Sequence, residues 1–318
     1  MNNQIRNRYN FDTEQQILQL KKDGVPSRQI AGILGASKSG VNDAYHRLCG
    51  DLKEETVKTP TKGAKVLCFD VESTAALVYC FGRHKQFINQ DAVKTEGGKL
   101  LCSGYRWEGE EQAHVLFNYE EVKAGEDYSV CKVMWELFNQ ADAVVAHNLK
   151  NFDLKMLEAR CLANGLPSLP TVKLIDTLEI AKNKFRFPSN KLDSLASYFG
   201  LGRKVSHSGI SLWVQVQEGS RKALDEMVEY CEQDVNLLHD LFQVLRSRGL
   251  VNGYNAALYY DDDVTRCKAC GSDHLELTGR TVTTGLSSFE EIKCNSCGTL
   301  QRTRKNTISK EKRSKLLA

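Results

Sequence analysis

VLCFDVEST, running from Val66 to Thr74, sets the architecture of the chain. Four apolar residues followed by Asp-Val-Glu read as a strand inside a sheet, and the two-residue period places Asp70 and Glu72 on one face. An unpaired charge there is expensive and two neighbouring carboxylates repel, so a cation is expected between them. Working outward, VVAHNLKNFDLKML (Val144 to Leu157) passes from an apolar strand through a polar turn into an amphipathic helix with Asp153 in its first turn. Further on, YCEQD places Tyr230 and Asp234 four apart in a helical stretch, so both project from one side. A hard cation held by carboxylate oxygens keeps such acids ionised and close together.

These residues form D-x-E at Asp70 and Glu72, N-x-x-x-F-D at Asn148, Phe152 and Asp153, and Y-x-x-x-D at Tyr230 and Asp234. The chain thereby resembles the DEDD superfamily of 3'-to-5' exonucleases, in the subclass with a tyrosine in its third motif. KLIDTLEIAK (Lys173 to Lys182) and KLDSLASYFGLGRK (Lys191 to Lys204) resemble the proofreading domain of family B DNA polymerases. The resemblance implies that two metal ions share Asp70, that Glu72 and Asp234 complete one ion, and that Asp153 holds the other. It also implies that Tyr230 orients the attacking water. Magnesium or manganese is expected, because carboxylate and water ligands suit these ions.

Each motif has a plainer reading. Asp153 favours a helix N-terminus through the dipole, Asn148 suits a turn, and Tyr230 with Asp234 reads as a core aromatic and an exposed acid. Asp176, after the apolar strand of LIDTL, either supports the site, with Asn148 and Phe152, or caps the following helix.

The 318 residues suggest two or three domains, and 41% apolar with 26% charged residues describes an ordinary globular protein. No apolar run approaches the roughly 20 residues needed to span a bilayer. MNNQIRNRYNF lacks a signal-peptide core, which predicts a reducing compartment, the cytoplasm, while the combination of nuclease-like motifs and appendages suits a bacterial or phage-infected host cell or a mobile element. The 11 cysteines are therefore expected as thiols and metal ligands, with Cys68, Cys80, Cys102, Cys131, Cys161 and Cys231 as small core residues. Net charge is +3 over residues 1–63, −6 over 64–300 and +6 over 301–318, an acidic middle flanked by basic ends. That distribution suits a metal-dependent nuclease whose separate segments hold phosphate.

Three helices are predicted in residues 1–50. Thr13 to Gly24 opens on a Thr13/Gln16 capping box, and Pro26–Gly35 and Ser37–Leu48 follow. They resemble the helix-turn-helix of resolvases and transposases. The third helix would present Lys38, Ser39, Asn42, Asp43 and His46 to DNA; a helical protein-docking domain is the competing reading. A polar linker (51–64) leads to residues 65–250. There, strand-like stretches at Ala75–Phe81, Lys99–Trp107 and Ala113–Tyr119 predict an antiparallel meander, followed by alternating helices and strands. This predicts an α/β ribonuclease H-like mixed sheet flanked by helices. In residues 251–300, Cys267-x-x-Cys270 and Cys294-x-x-Cys297, 23 residues apart, have zinc-ribbon spacing for one structural Zn2+. A basic tail (301–318) closes the chain.

Together these readings predict a metal-dependent 3'-5' exonuclease acting on DNA, with no membrane partner. The alternatives are a structure-specific endonuclease or RNA exonuclease on the same fold, and, in another class, a non-catalytic DNA-binding regulator.

Overall fold

The computed structural model describes residues 11–23, 25–48, 63–82 and 87–317, in two compact units spanning Met1–Lys58 and Thr59–Ala318. The smaller unit holds α1 (Phe11–Lys22), α2 (Ser27–Ile33) and α3 (Lys38–Leu48) around Ile17, Ile30, Ala31, Val41 and Ala44. The first helix starts two residues earlier than its capping pattern predicts, so Thr13 lies inside α1. At α3 the sequence signal holds, because the Ser37 hydroxyl accepts the Gly40 amide at 3.0 Å.

The larger unit contains β1 (Val66–Ser73), β2 (Leu77–Val78), β3 (Val93–Thr95), β4 (Leu100–Trp107), β5 (His114–Leu116), α4 (Tyr119–Ala124), α5 (Tyr128–Gln140), β6 (Ala143–Ala146), α6 (Asp153–Ala163) and β7 (Lys173–Asp176). After these come α7 (Thr177–Lys184), α8 (Leu192–Phe199), α9 (Ile210–Gln217), the 27-residue α10 (Arg221–Ser247), β8 (Leu275–Thr284), β9 (Ser287–Cys294), β10 (Leu300–Asn306) and α11 (Lys310–Arg313). The main sheet runs β5-β4-β1-β6-β7, antiparallel across β5, β4 and β1 and parallel across β1, β6 and β7. This is the ribonuclease H-like mixed sheet that the pattern of elements predicts.

One prediction fails. The stretch 75–81 does not join the meander; β2 pairs with β3 in a separate two-stranded sheet. The strand that forms there is only two residues long and pairs with β3 alone, and Leu77, Val78, Tyr79 and Phe81 are all exposed.

In β1 the alternation is strict. Val66 and Cys68 pack with Leu192, Leu195, Leu238, Leu241 and Phe242 of α8 and α10, while Leu67, Phe69 and Val71 pack with Met134, Phe138 and Leu157 of α5 and α6. Phe69 meets Phe138 edge to face, ring centroids 5.1 Å apart. Underneath, buried Asp127 accepts Arg160 Nε at 2.7 Å, Asn164 Nδ2 at 2.8 Å and the Leu100 amide at 2.8 Å, tying α6 to α5 and β4. Five of the six predicted core cysteines, Cys68, Cys102, Cys131, Cys161 and Cys231, are buried. Cys80 is exposed beside β2, and Cys49 lies outside the described residues. Among the described residues no helix is long and apolar enough to cross a membrane.

The strands β10-β9-β8 form a second antiparallel sheet. It reaches six residues into the stretch that charge alone marks as a tail, because Gln301 and Thr303 alternate with exposed Arg302 and Arg304 and give β10 an inward face. Thr299 Oγ1 donates to the Arg246 carbonyl at 3.1 Å and the Ala256 amide to the Lys268 carbonyl at 2.7 Å, fastening this sheet to the end of α10.

Candidate active site

The alternation of β1 determines where its acids point. Val66 and Cys68 face α10, so Asp70 and Glu72, on the same parity, face it too. Across from them, Tyr230 and Asp234 lie one turn apart on α10 and are both buried. The helix comes this close because Gly104, opposite Asp70 in β4, has no side chain. A Cβ there would stand 2.7 Å from Val235 Cγ2, 3.0 Å from Cys231 Sγ and 3.2 Å from the Cys231 carbonyl.

Asp70, Glu72 and Asp234 each offer a carboxylate oxygen, all three within 4.8 Å of one another. Asp153 approaches on α6, close enough for Asp70 to act on its charge. Both Asp153 oxygens and Asp234 Oδ1 are buried without a hydrogen-bond partner, although the amides of Val71 and Asp153 itself lie near enough to favour the Asp153 charge.

Burial and the neighbouring Asp234 push the Asp70 carboxyl up to about 7, against the pull of Lys204. Burial raises Glu72 and Asp153 as well, Glu72 with the help of Asp70 and Asp234, and Asp153 with the help of Asp70. Asp234 is raised by burial despite its ion pair with Lys204. Desolvating each carboxylate costs several kcal/mol, and one lysine cannot neutralise four of them. An oxygen-only donor set with three orphaned buried oxygens fits magnesium or manganese; zinc prefers nitrogen and sulfur.

Three residues escaped sequence reasoning. Lys204 Nζ donates to Asp234 Oδ2 and, at 3.0 Å, to the Tyr230 hydroxyl, and sits 5.0 Å above the Tyr230 ring. Trp213 Nε1 donates to Glu72 Oε2 at 3.1 Å. The His207 ring lies edge-on to Trp213 and Tyr230, with centroids 5.1 and 4.8 Å away. The available signal was GLGRKVSHSG (Gly200 to Gly209), a small, polar and cationic connection with no apolar pattern of its own. Burial and Asp234 together push the Tyr230 phenol above its ordinary value, so it stays protonated at neutral pH.

Asp176 is not part of the acid cluster. Its Oδ1 accepts the amides of Leu178 and Glu179, capping α7, and also the Asn148 amide at 3.1 Å, while Oδ2 accepts the Lys150 amide at 3.2 Å. It therefore caps a helix and also clamps the loop that carries Asp153. Asn148 is the one non-glycine residue with positive φ, 83°, among those described, and its carbonyl accepts the amides of Asn151 and Phe152. Phe152 is 42% exposed at the mouth of α6.

The four cysteines at 267, 270, 294 and 297 converge, their Sγ atoms all within 4.8 Å of one another. Cys267 to Cys297 and Cys270 to Cys294 are each 3.7 Å. A tetrahedron with 2.3 Å zinc–sulfur bonds has an edge of about 3.8 Å, so the thiols fit a zinc site. Both loops are built alike. The Gly271 amide donates to the Cys267 carbonyl and the Gly298 amide to that of Cys294, both at 2.9 Å, with φ of 79° and 77°. Burial raises the Cys297 thiol, but hydrogen bonds from the Thr299 hydroxyl and amide and from the Cys270 and Cys267 thiols outweigh it and bring it to about 7.

Of the residues expected to read DNA, Lys38 and Ser39 are exposed and Asn42 is half-buried in the smaller unit. The side chains of Asp43 and His46 lie outside the described residues.

Residues 91–246 match the model of the RNase H superfamily. Among solved structures, the family B DNA polymerase of the hyperthermophilic archaeon Pyrobaculum calidifontis aligns at 16% identity and a TM-score of 0.44, covering 59% of this chain. The chain spans 25% of that polymerase's length. No curated protein matches. The strand order and the superfamily match agree: the larger unit carries an RNase H-like domain.

Proposed function

We propose that the protein is a metal-dependent nuclease that removes nucleotides from the 3' end of DNA. The observation that carries this reading is the meeting of Asp70, Glu72 and Asp234 within 4.8 Å, beside an Asp153 whose oxygens have no partner. The order of the three motifs supports the tyrosine-bearing exonuclease subclass. Asp70 would be shared by two divalent ions, with Glu72 and Asp234 on one and Asp153 on the other. Such a pair supplies an acidified water and neutralises the departing oxygen.

The chain's own residues do the positioning. Tyr230 accepts a hydrogen bond from Lys204 and keeps its own proton, so it can orient an oxygen nucleophile by donating but is a poor base. Trp213 fixes the rotamer of Glu72. Asp176 holds the loop on which Asp153 rides. In the smaller unit, α2 and α3 flank a turn containing Gly35 at φ 60°, which supports a helix-turn-helix that reads DNA through the exposed start of α3. The cysteine sheet is read as a zinc ribbon.

The test is 5'-labelled single-stranded, duplex and branched DNA, and RNA, incubated with magnesium, manganese or chelator, alongside Asp70→Ala. A one-nucleotide ladder from the 3' end, absent in the variant and in chelator, is expected. A single internal cut would make the protein an endonuclease. Sequence-selective binding without any cutting would make it a regulator.

A further inference from the structure

A second charged feature lies away from the acid cluster, where the first cysteine loop faces β10. A groove of about 580 Å3 there is lined by residues that include Asn255, Lys268, Gln301, Arg304 and Lys305, and by no Asp or Glu. Lys268, Arg302, Arg304 and Lys305 have no acidic partner within 4.0 Å among the described residues, whereas Arg266 is held by Asp262 and stacks on Tyr260. Unpaired cations on a wall without carboxylates repel one another, and folding tolerates this where a polyanion relieves it.

The groove is also built, rather than merely lysine-rich. The Gln301 side chain accepts the Lys268 amide at 3.0 Å, joining the cysteine loop to β10, and its Nε2 is buried without an acceptor. Arg302 is fixed with its guanidinium 3.9 Å above the Phe289 ring. The pairing register shifts between Arg302 and Asn306, and consecutive residues Arg304 and Lys305 are both exposed where a regular strand would alternate. Beyond β10 the charge continues through Lys310, Lys312, Arg313 and Lys315, bringing residues 264–317 to 11 basic against 5 acidic side chains.

We infer that this groove grips the sugar–phosphate backbone of a nucleic acid, independently of sequence. Its charged side chains are all cationic donors, which suits a ligand whose edge consists of acceptor oxygens with one charge per 3.4 Å of strand. Because Thr299 and Lys268 are hydrogen-bonded to Arg246 and Ala256, a strand in the groove is held at a fixed position relative to α10 and its acids.

The test uses the full chain carrying Asp70→Ala, without added magnesium, so that binding is read without hydrolysis and stands apart from the catalytic reading. Fluorescent single-stranded and duplex DNA of arbitrary sequence, RNA, and polyglutamate are titrated across a salt series, with and without Lys268→Glu, Arg304→Glu and Lys305→Glu together. The expected result is at least about a tenfold loss of nucleic-acid affinity. The slope of log affinity against log salt should fall by roughly 2 to 3, since each lost phosphate contact removes about 0.7 to 0.9. Zinc content must be unchanged, which shows that the sheet still folds. On the Asp70 background, hydrolysis of a mononucleotide nitrophenyl ester, too short to span both sites, should also be unchanged. Equal affinity and slope in the two proteins would overturn the inference. So would a loss confined to polyglutamate, which would make the groove a protein-docking site.

Discussion

Replacing Asp70 with asparagine should stabilise the ion-free protein at alkaline pH while abolishing its response to magnesium. The folded carboxyl is raised from 3.8 to about 7, chiefly by burial and then by Asp234. A carboxylic acid whose pKa is raised by folding costs nothing below pH 3.8, loses stability progressively as the pH climbs to about 7, and carries the full penalty above that. About three units at 1.36 kcal/mol each give an upper bound near 4 kcal/mol. Asn keeps the shape and never ionises, so in chelator at about pH 8 the variant should resist urea better than wild type, by between about 1 and 4 kcal/mol. At about pH 4 the two should coincide. Magnesium should raise the wild-type midpoint and leave that of the variant nearly unmoved, because the shared ligand is gone. Urea unfolding followed by tryptophan fluorescence, at both pH values and with and without magnesium, provides the measurement. A variant less stable than wild type in chelator at alkaline pH, or equal magnesium stabilisation of both, refutes the idea of a desolvated cluster awaiting cations.

Lys204→Met removes the cation ion-paired with Asp234 and should destabilise the chelated protein by about 3 kcal/mol. Magnesium should restore most of that stability, while DNA cleavage at saturating magnesium should remain depressed. Gly104→Ala places a methyl 2.7 Å from Val235 Cγ2 and forces α10 off the sheet. A loss of about 1 to 3 kcal/mol in thermal unfolding is expected, with a fall in kcat that tracks the displacement of Asp234. Metal analysis should find about one zinc per chain, and Cys267→Ser with Cys294→Ser should release it and expose β8 to β10 to protease. Asp176→Ala deprives the Asn148, Lys150, Leu178 and Glu179 amides of their acceptor. It should weaken magnesium affinity, read as a rise in the magnesium concentration that half-saturates cleavage.

The parts of the molecule legible in the sequence were those with a local period. β1 announces itself through an apolar run that ends in Asp-Val-Glu, α10 through a helical stretch that carries Tyr230 and Asp234 four apart, and the cysteine loops through spacing. Asp153 was readable in the first turn of its helix and Asp176, whose carboxylate also accepts amides of the loop before Asp153, as the cap of α7. Lys204, His207 and Trp213 were not legible because their roles depend on where α9 and its preceding loop fall across β1, a contact between residues 141 apart in the case of Trp213 and Glu72. Gly104 was invisible for the same reason, since nothing near it in the chain says that a helix must pass over it. The failed strand at 75–81 shows the opposite error: its composition suited the main sheet, but the chain there pairs over two residues with β3 alone.

The acids of the cluster come from the first strand of the main sheet and from its final covering helix, at positions 70 and 234. As the ribosome delivers the chain, every element of the sheet must emerge and α10 must settle over Gly104 before the last carboxylate can join the others. A nascent or prematurely terminated polypeptide that contains β1 but not α10 therefore lacks the assembled acid cluster, which is complete only when the domain is nearly finished.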